Sequence, residues 1–205
     1  MSGNKYIEKL KEAYAEKGLS KEWEHLIEIA HGISYEDKQL LLKEYPEFPE
    51  SLMEILEAID GTYWRKYGDE EVTHYFFGSD VSNGEYPYYL FSANDIIKNK
   101  DSALYFEDLF YYFLEEPDED YGPFIDDKIQ TDAEKLKWLN FSDCMNNGGT
   151  STLYIDFTPS EKGTKGQIVR YLHDPDELKV IANSFDEFLD MIIANDFKFI
   201  HSDDF

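Results

Sequence analysis

Apolar residues along the first sixty positions recur at helical spacing. Ile7, Leu10 and Tyr14 fall three and four residues apart, and Gly18 offers a stop. Ser20 stands where it would cap a second helix, with Trp23, Leu26, Ile27 and Ala30 on the apolar face and Gly32 at the end. A third run covers Tyr35 to Glu44. The stretch Tyr45-Pro46-Glu47-Phe48-Pro49 breaks it, because each proline disfavours helix in the residue before it. Pro49 suits the first turn of a fourth helix, whose buried stripe is Leu52, Met53, Leu56 and Ile59 and which Gly61 ends.

After Gly61 the hydrophobic period shortens. Val72 to Phe77 and Tyr86 to Phe91 are rich in β-branched and aromatic residues, and Ser79 to Gly84 supplies turn chemistry between them, which predicts a hairpin. Asn94 or Asp95 would cap a short helix and Ser102 an aromatic one, with Glu115 to Gly122 as a loop. Trp138 to Phe141 opens the last third, and Asn146-Asn147-Gly148-Gly149 reads as a turn. Strands follow at Thr152 to Phe157, Gly166 to Leu172 and Leu178 to Ala182, the last two around the turn His173-Asp174-Pro175-Asp176. Ser184 with Glu187 makes a capping box for an amphipathic helix from Phe185 to Ala194. Phe197 to Ile200 is one more strand or a docked tail. The change of period predicts an α+β fold, with a mostly antiparallel sheet flanked by helices and extra helices at the N-terminus. No internal repeat and no low-complexity linker divides the chain.

Charge changes this picture most. The 205 residues carry 19 Lys and Arg against 44 Asp and Glu, a formal net charge of -25, while aromatic residues reach 17% and mark a globular chain. Phosphate backbones and anionic lipid surfaces would be repelled, so neither nucleic acid nor membrane is an expected partner. A basic protein is the physical complement; solubility alone is the plain alternative. Residues 1–44 hold seven Lys and nine acids, so nearly all of the excess lies beyond them. Glu115 to Asp127 contains seven acids and no base, directly after six aromatics between Ala103 and Leu114. That join suggests a partner-binding surface with Tyr111, Tyr112 and Tyr121 as anchors and Glu115, Glu116, Asp118, Glu119 and Asp120 as a charged rim. The alternative is a core helix followed by a solvated loop.

Catalytic signatures are missing. His25, His31, His74, His173 and His201 form no pair at metal-ligand spacing with a matched carboxylate. Cys144 is the single cysteine, so it forms no internal disulfide, and no neighbouring His or Lys activates it as a nucleophile. Ser79 lacks the flanking glycines of a nucleophile elbow. Glu161 to Gly166 lacks the ending of a phosphate-binding loop and precedes a strand. Asp118 to Gly122 hints at calcium, but its glycine falls one place early for an EF-hand loop. The expectation is a chain with no cofactor, no metal and no catalytic residues. Met1 to Lys11 lacks the apolar run of a signal peptide, and no run of 18 apolar residues occurs, so a cytoplasmic location is expected.

Pro49-Glu50-Ser51-Leu52 through Ile59-Asp60-Gly61 resembles the opening of the SUKH superfamily, the family of the yeast Smi/Knr cell-wall regulators and many bacterial relatives. Trp138 to Asp143, then Gly148 or Gly149, then Tyr154 to Pro159 is similar to its middle. Gly163-x-x-Gly166-Gln167-Ile168-Val169 and Ile181 to Leu189 resemble its end, so the likeness runs from about Tyr45 to Ile193. Phe48 and Asp60 depart from the usual Leu and Asn. Residues 1–44 then read as a helical extension packed on a domain of residues 45–205, and 103–127 as an aromatic-acidic insertion. The resemblance implies an α+β domain. It also implies an immunity protein that binds and silences a polymorphic toxin, of basic nuclease or deaminase type; a monomer or weak dimer is expected. The alternative it leaves is a cytosolic regulatory or scaffold module.

Overall fold

The computed structural model describes residues 1–115, 124–146 and 151–201. Four helices come first: α1 (Gly3–Glu16), α2 (Ser20–Ile29), α3 (Tyr35–Glu44) and α4 (Glu50–Ala58). A small antiparallel hairpin follows, β1 (Arg65–Tyr67) and β2 (Glu70–Val72). Next come β3 (Tyr75–Phe77), β4 (Tyr88–Leu90), α5 (Ala93–Lys98), a 3-10 turn at Ser102–Phe106 and α6 (Glu107–Glu115). The chain continues through β5 (Phe124–Ile125), a 3-10 turn at Ala133–Lys135, β6 (Trp138–Cys144), β7 (Ser151–Asp156), β8 (Gln167–Leu172), β9 (Glu177–Ala182) and α7 (Phe185–Ala194).

Seven strands form one sheet in the order β3-β4-β6-β7-β8-β9-β5. All neighbours are antiparallel except β5, which runs parallel to β9 with Phe124 opposite Glu177. The fold is therefore α+β with a mostly antiparallel sheet. Alternation along the strands separates two cores. Leu153 and Ile155 of β7 enter the larger cluster with Tyr6, Leu10, Leu56, Phe77 and Phe188. Tyr154, between them, enters a smaller cluster with Phe106, Phe110, Trp138, Val169 and Leu178. Helices α1, α4 and α7 thus cover one face, and the 3-10 turn with α6 covers part of the other. Gly61 ends the α4 segment at φ +95°, where a Cβ would lie 2.6 Å from the amide nitrogen of Ser92, so only glycine fits. No described helix is long and apolar enough to cross a membrane.

Several local expectations change. Leu19, not Ser20, holds the N-cap position of α2 and makes no side-chain cap bond. Leu19 is buried and its amide bonds the Tyr14 carbonyl, so the α1–α2 turn fixes the helix start one residue early. Helix α2 stops at Ile29, short of Gly32, and Ile27 faces water at 47% exposure. Ser92 rather than Asn94 or Asp95 caps α5: its hydroxyl accepts from the Asp95 amide at 3.2 Å and donates to the Asp95 carboxylate at 2.6 Å. Ser102 opens a 3-10 turn and caps nothing, so α6 begins five residues later. Val72 and Tyr75 belong to different sheets, so Val72 to Phe77 is not one strand. The hairpin between β3 and β4 is present. Phe197 to Ile200 is a docked tail in the larger core.

Candidate functional site

Helix α6 and the 3-10 turn before it divide the aromatic run of residues 105–113. Phe106 and Phe110, four residues apart, turn inward against Trp138, Tyr154 and Tyr171, with ring centroids of Phe106 at 5.8, 5.7 and 4.9 Å from those three. Glu107 and Asp108 occupy the first turn of α6, where the helix dipole favours carboxylates. Tyr111 and Tyr112 point outward, 55% and 53% exposed, and their rings meet edge-on at 5.8 Å. The aromatic run is therefore split, with Phe106 and Phe110 buried in the smaller core and Tyr111 and Tyr112 exposed. Glu115 ends the helix; Glu116, Asp118, Glu119, Asp120 and Tyr121 lie outside the described residues, as does the calcium-like Asp118 to Gly122.

Beside α6 runs a groove of about 310 Å³, lined by Glu107, Phe110, Tyr111 and Leu114 on one side and by Thr131 to Glu134 on the other. Leu114 is 56% exposed. Composition alone did not point to Asp132 or Glu134 as neighbours of Tyr111, because about twenty residues separate them; the return of the chain through β5 brings them together. The turn between β8 and β9 is tied to β5. Asp176 accepts from Tyr171 Oη at 2.7 Å and faces His173 Nδ1 at 2.8 Å, and its carbonyl accepts the amide of Phe124. The hydrogen bond and charge of Asp176 raise the His173 imidazole above its ordinary value.

A second polar cluster lies on the sheet. Arg170 of β8 is 2% exposed, and its Nε donates to Asp80 Oδ1 at 2.7 Å while one Nη donates to Glu177 Oε2 at 2.6 Å. Lys179 donates to Asp80 Oδ2 at 2.7 Å. Burial would raise the Asp80 carboxyl, but the hydrogen bonds and charges of Arg170 and Lys179 outweigh it and hold the group below the usual carboxylate range. Two acids and two bases neutralise one another here, which fastens the β3–β4 connection onto β8 and β9. The sequence hid this cluster, since its partners are 90 and 99 positions apart. An arginine between Val169 and Tyr171 in β8 was the one signal.

The remaining chemical candidates serve the fold. Cys144 is fully buried and receives the Tyr86 hydroxyl at 3.5 Å. Ser79 Oγ donates to Tyr88 Oη at 3.1 Å and accepts the amide of Val81. Glu161 to Gly166 forms the β7–β8 connection, tied by Lys162 to Asp127 at 2.7 Å. Asp60 is 2% exposed, accepting from Arg65 at 2.6 Å and from the Ala93 amide at 2.9 Å. Among the described residues no group of three or more His, Cys, Asp or Glu is placed to hold a metal ion.

The model of the SMI1 / KNR4 family (SUKH-1) matches residues 32–191. The match takes in α3 through most of α7, together with α6 and its groove, and leaves α1 and α2 outside. No curated protein resembles the chain closely enough to count as a relative.

Proposed function

The chain belongs to the SMI1 / KNR4 family (SUKH-1), and from that membership we propose a non-catalytic immunity protein that binds and silences a cognate polymorphic toxin. The family match carries the reading, and the charge supports it. A toxin that cuts or deaminates nucleic acid needs a basic cleft, and a chain of net charge -25 is the complement of one. The contact surface in this proposal is the exposed side of α6 and the acidic block after it: Tyr111, Tyr112, Glu115, Glu116, Asp118, Glu119, Asp120 and Tyr121. Residues 1–44 act as a helical extension on the domain of residues 45–205. The protein works in the cytoplasm, as a monomer or weak dimer, without cofactor.

The second reading is a regulatory or scaffold module related to the cell-wall regulators, and the same match supports it. Reading the neighbouring gene for a C-terminal toxin domain, and co-expressing such a domain with this chain, separates the two. Growth restored by this chain, together with a complex of the two proteins on size-exclusion chromatography, is the expected result. A toxin that remains lethal and unbound overturns the immunity reading.

A further inference from the structure

We propose that the groove between α6 and the turn at Thr131 to Glu134 is a socket for one lysine or arginine side chain of a basic protein partner. The proposal rests on the partner-binding reading above and deepens it by naming the occupant. Glu107, Phe110, Tyr111 and Leu114 stand at i, i+3, i+4 and i+7, so they form a single stripe along the helix. Phe110 is 2% exposed and Ala133 across from it 7%, which makes them the floor. Tyr111 and Leu114, 55% and 56% exposed, are the open wall.

The charges around this apolar strip choose the occupant. Glu107, Asp132 and Glu134 line the groove, and among the described residues only Lys135 answers them with an ion pair, bonding Asp132 at 2.6 Å. Among the described residues no ion pair involves Glu107 or Glu134. A wholly apolar segment would desolvate both carboxylates without pairing them. A second copy would set one chain of net charge -25 against another. A lysine or arginine meets both demands. Its methylene stem lies along Tyr111 and Leu114, and its cation reaches the carboxylates and the Tyr111 ring face. A volume of about 310 Å³ is ample for one such side chain, being about ten waters' share of liquid.

The test uses the full chain, nitrogen-15 labelled, titrated with a capped hexa-arginine peptide and with its uncharged citrulline counterpart. Amide shifts concentrated at residues 107–114 and 131–134 with arginine, and absent with citrulline, are expected. The pair Glu107→Gln with Glu134→Gln should weaken the arginine peptide about tenfold, whereas Glu8→Gln with Glu16→Gln on α1 should change it less than about twofold. Equal weakening by the two pairs overturns the socket, because the attraction would then be the net charge alone. Tyr111→Ser with Leu114→Ser keeps every charge and alters only exposed side chains; wild-type peptide affinity in that variant also overturns it. The two proposals fail separately. A toxin captured normally by the Glu107→Gln, Glu134→Gln variant sinks the socket and spares the immunity role. Peptide binding in the groove without any effect on the co-expressed toxin domain does the reverse.

Discussion

The hydroxyl of Tyr6 on α1 donates to the backbone carbonyl of Phe76 on β3 at 2.5 Å. Two turns further along, Tyr14 donates to the carbonyl of Tyr75 at 2.8 Å. β3 is one of the two edge strands of the sheet, and bare carbonyls on an edge strand invite pairing with another chain. Burial, with a smaller contribution from Tyr14, pushes the Tyr6 phenol well above its ordinary value, so it remains a donor throughout the working pH range. Helix α1, which lies outside the family match, therefore covers the edge of the family's sheet. Tyr6→Phe keeps the ring and leaves a buried carbonyl unpaired, at a cost of about 2 kcal/mol. Urea unfolding should show a lower midpoint with an unchanged slope; an unchanged midpoint would mean that the carbonyl finds another donor.

Arg170 is buried and holds two carboxylates, so removing it should be costly. Arg170→Met keeps much of the side-chain volume but strands Asp80 and Glu177, which are 24% and 26% exposed, with Lys179 as the remaining partner of Asp80. Breaking a buried pair from one side typically costs about 3 kcal/mol. The double variant Arg170→Met with Glu177→Gln removes one stranded charge and should recover part of that loss. A double variant no more stable than the single one would refute the stranded-charge account.

Much of this architecture could be read from the chain because local signals and tertiary packing agree. Tyr35–Glu44 and Phe185–Ala194 are helices at the expected bounds, since Ser34 and Ser184 cap them and prolines or a tail stop them. The hairpin β1–β2 has a weak hydrophobic pattern, because Arg65 to Val72 is mostly polar and exposed; its signal is Gly68-Asp69, with Gly68 at φ +64°. β5 was illegible for a different reason. Two residues carry no periodicity, and the strand exists only because β9 offers a free edge. At the candidate surface, the outward Tyr111 and Tyr112 followed from the aromatic run, but the groove did not, because Asp132 to Glu134 reach it through tertiary structure.

Ser184 offers a smaller and cleaner test. Its hydroxyl accepts the Glu187 amide at 3.1 Å, while the Glu187 carboxylate accepts the Asn183 amide at 3.1 Å, one residue before the cap. Ser184→Ala should cost about 1 kcal/mol, and Ser184→Gly a few tenths by the usual ranking of caps. Equal denaturation midpoints for wild type and Ser184→Ala would show that the Glu187–Asn183 half of the box suffices alone.

His74 sets a stability limit on the acid side. Burial, and then the charge of His25, push its imidazole from 6.5 down to about 4, with Glu22 opposing. Above pH 6.5 the ring is neutral whether the chain is folded or not, so it contributes no pH dependence there. Between 6.5 and about 4 the unfolded chain takes up a proton that the folded one refuses, and stability falls across that window by up to about 3 kcal/mol. Buried Asp60 and Asp156 have raised carboxyl groups and act in the opposite direction, so total stability is not the readout. The comparison is between wild type and His74→Gln. The variant should show a shallower loss of stability between pH 6.5 and 4.5; parallel curves would mean that His74 titrates normally.

The rates of partner binding discriminate between long-range charge and packed anchors. Association with a basic toxin should slow as salt rises, since screening shortens the reach of exposed charges to about 8 Å at physiological strength. Dissociation should respond less, because desolvated anchors govern it. Exchanging Glu115, Glu116, Asp118, Glu119 and Asp120 for Gln or Asn removes five like charges that repel one another, so folding should persist. The association rate constant of this variant should drop and lose part of its salt dependence. Tyr112→Ala, on an exposed ring that touches Tyr111, should instead speed dissociation and leave association nearly unchanged. Stopped-flow association and chase experiments at two salt concentrations read both constants. Wild-type association by the five-fold variant would move the contact surface away from the end of α6 and leave the acidic stretch as a solvated loop.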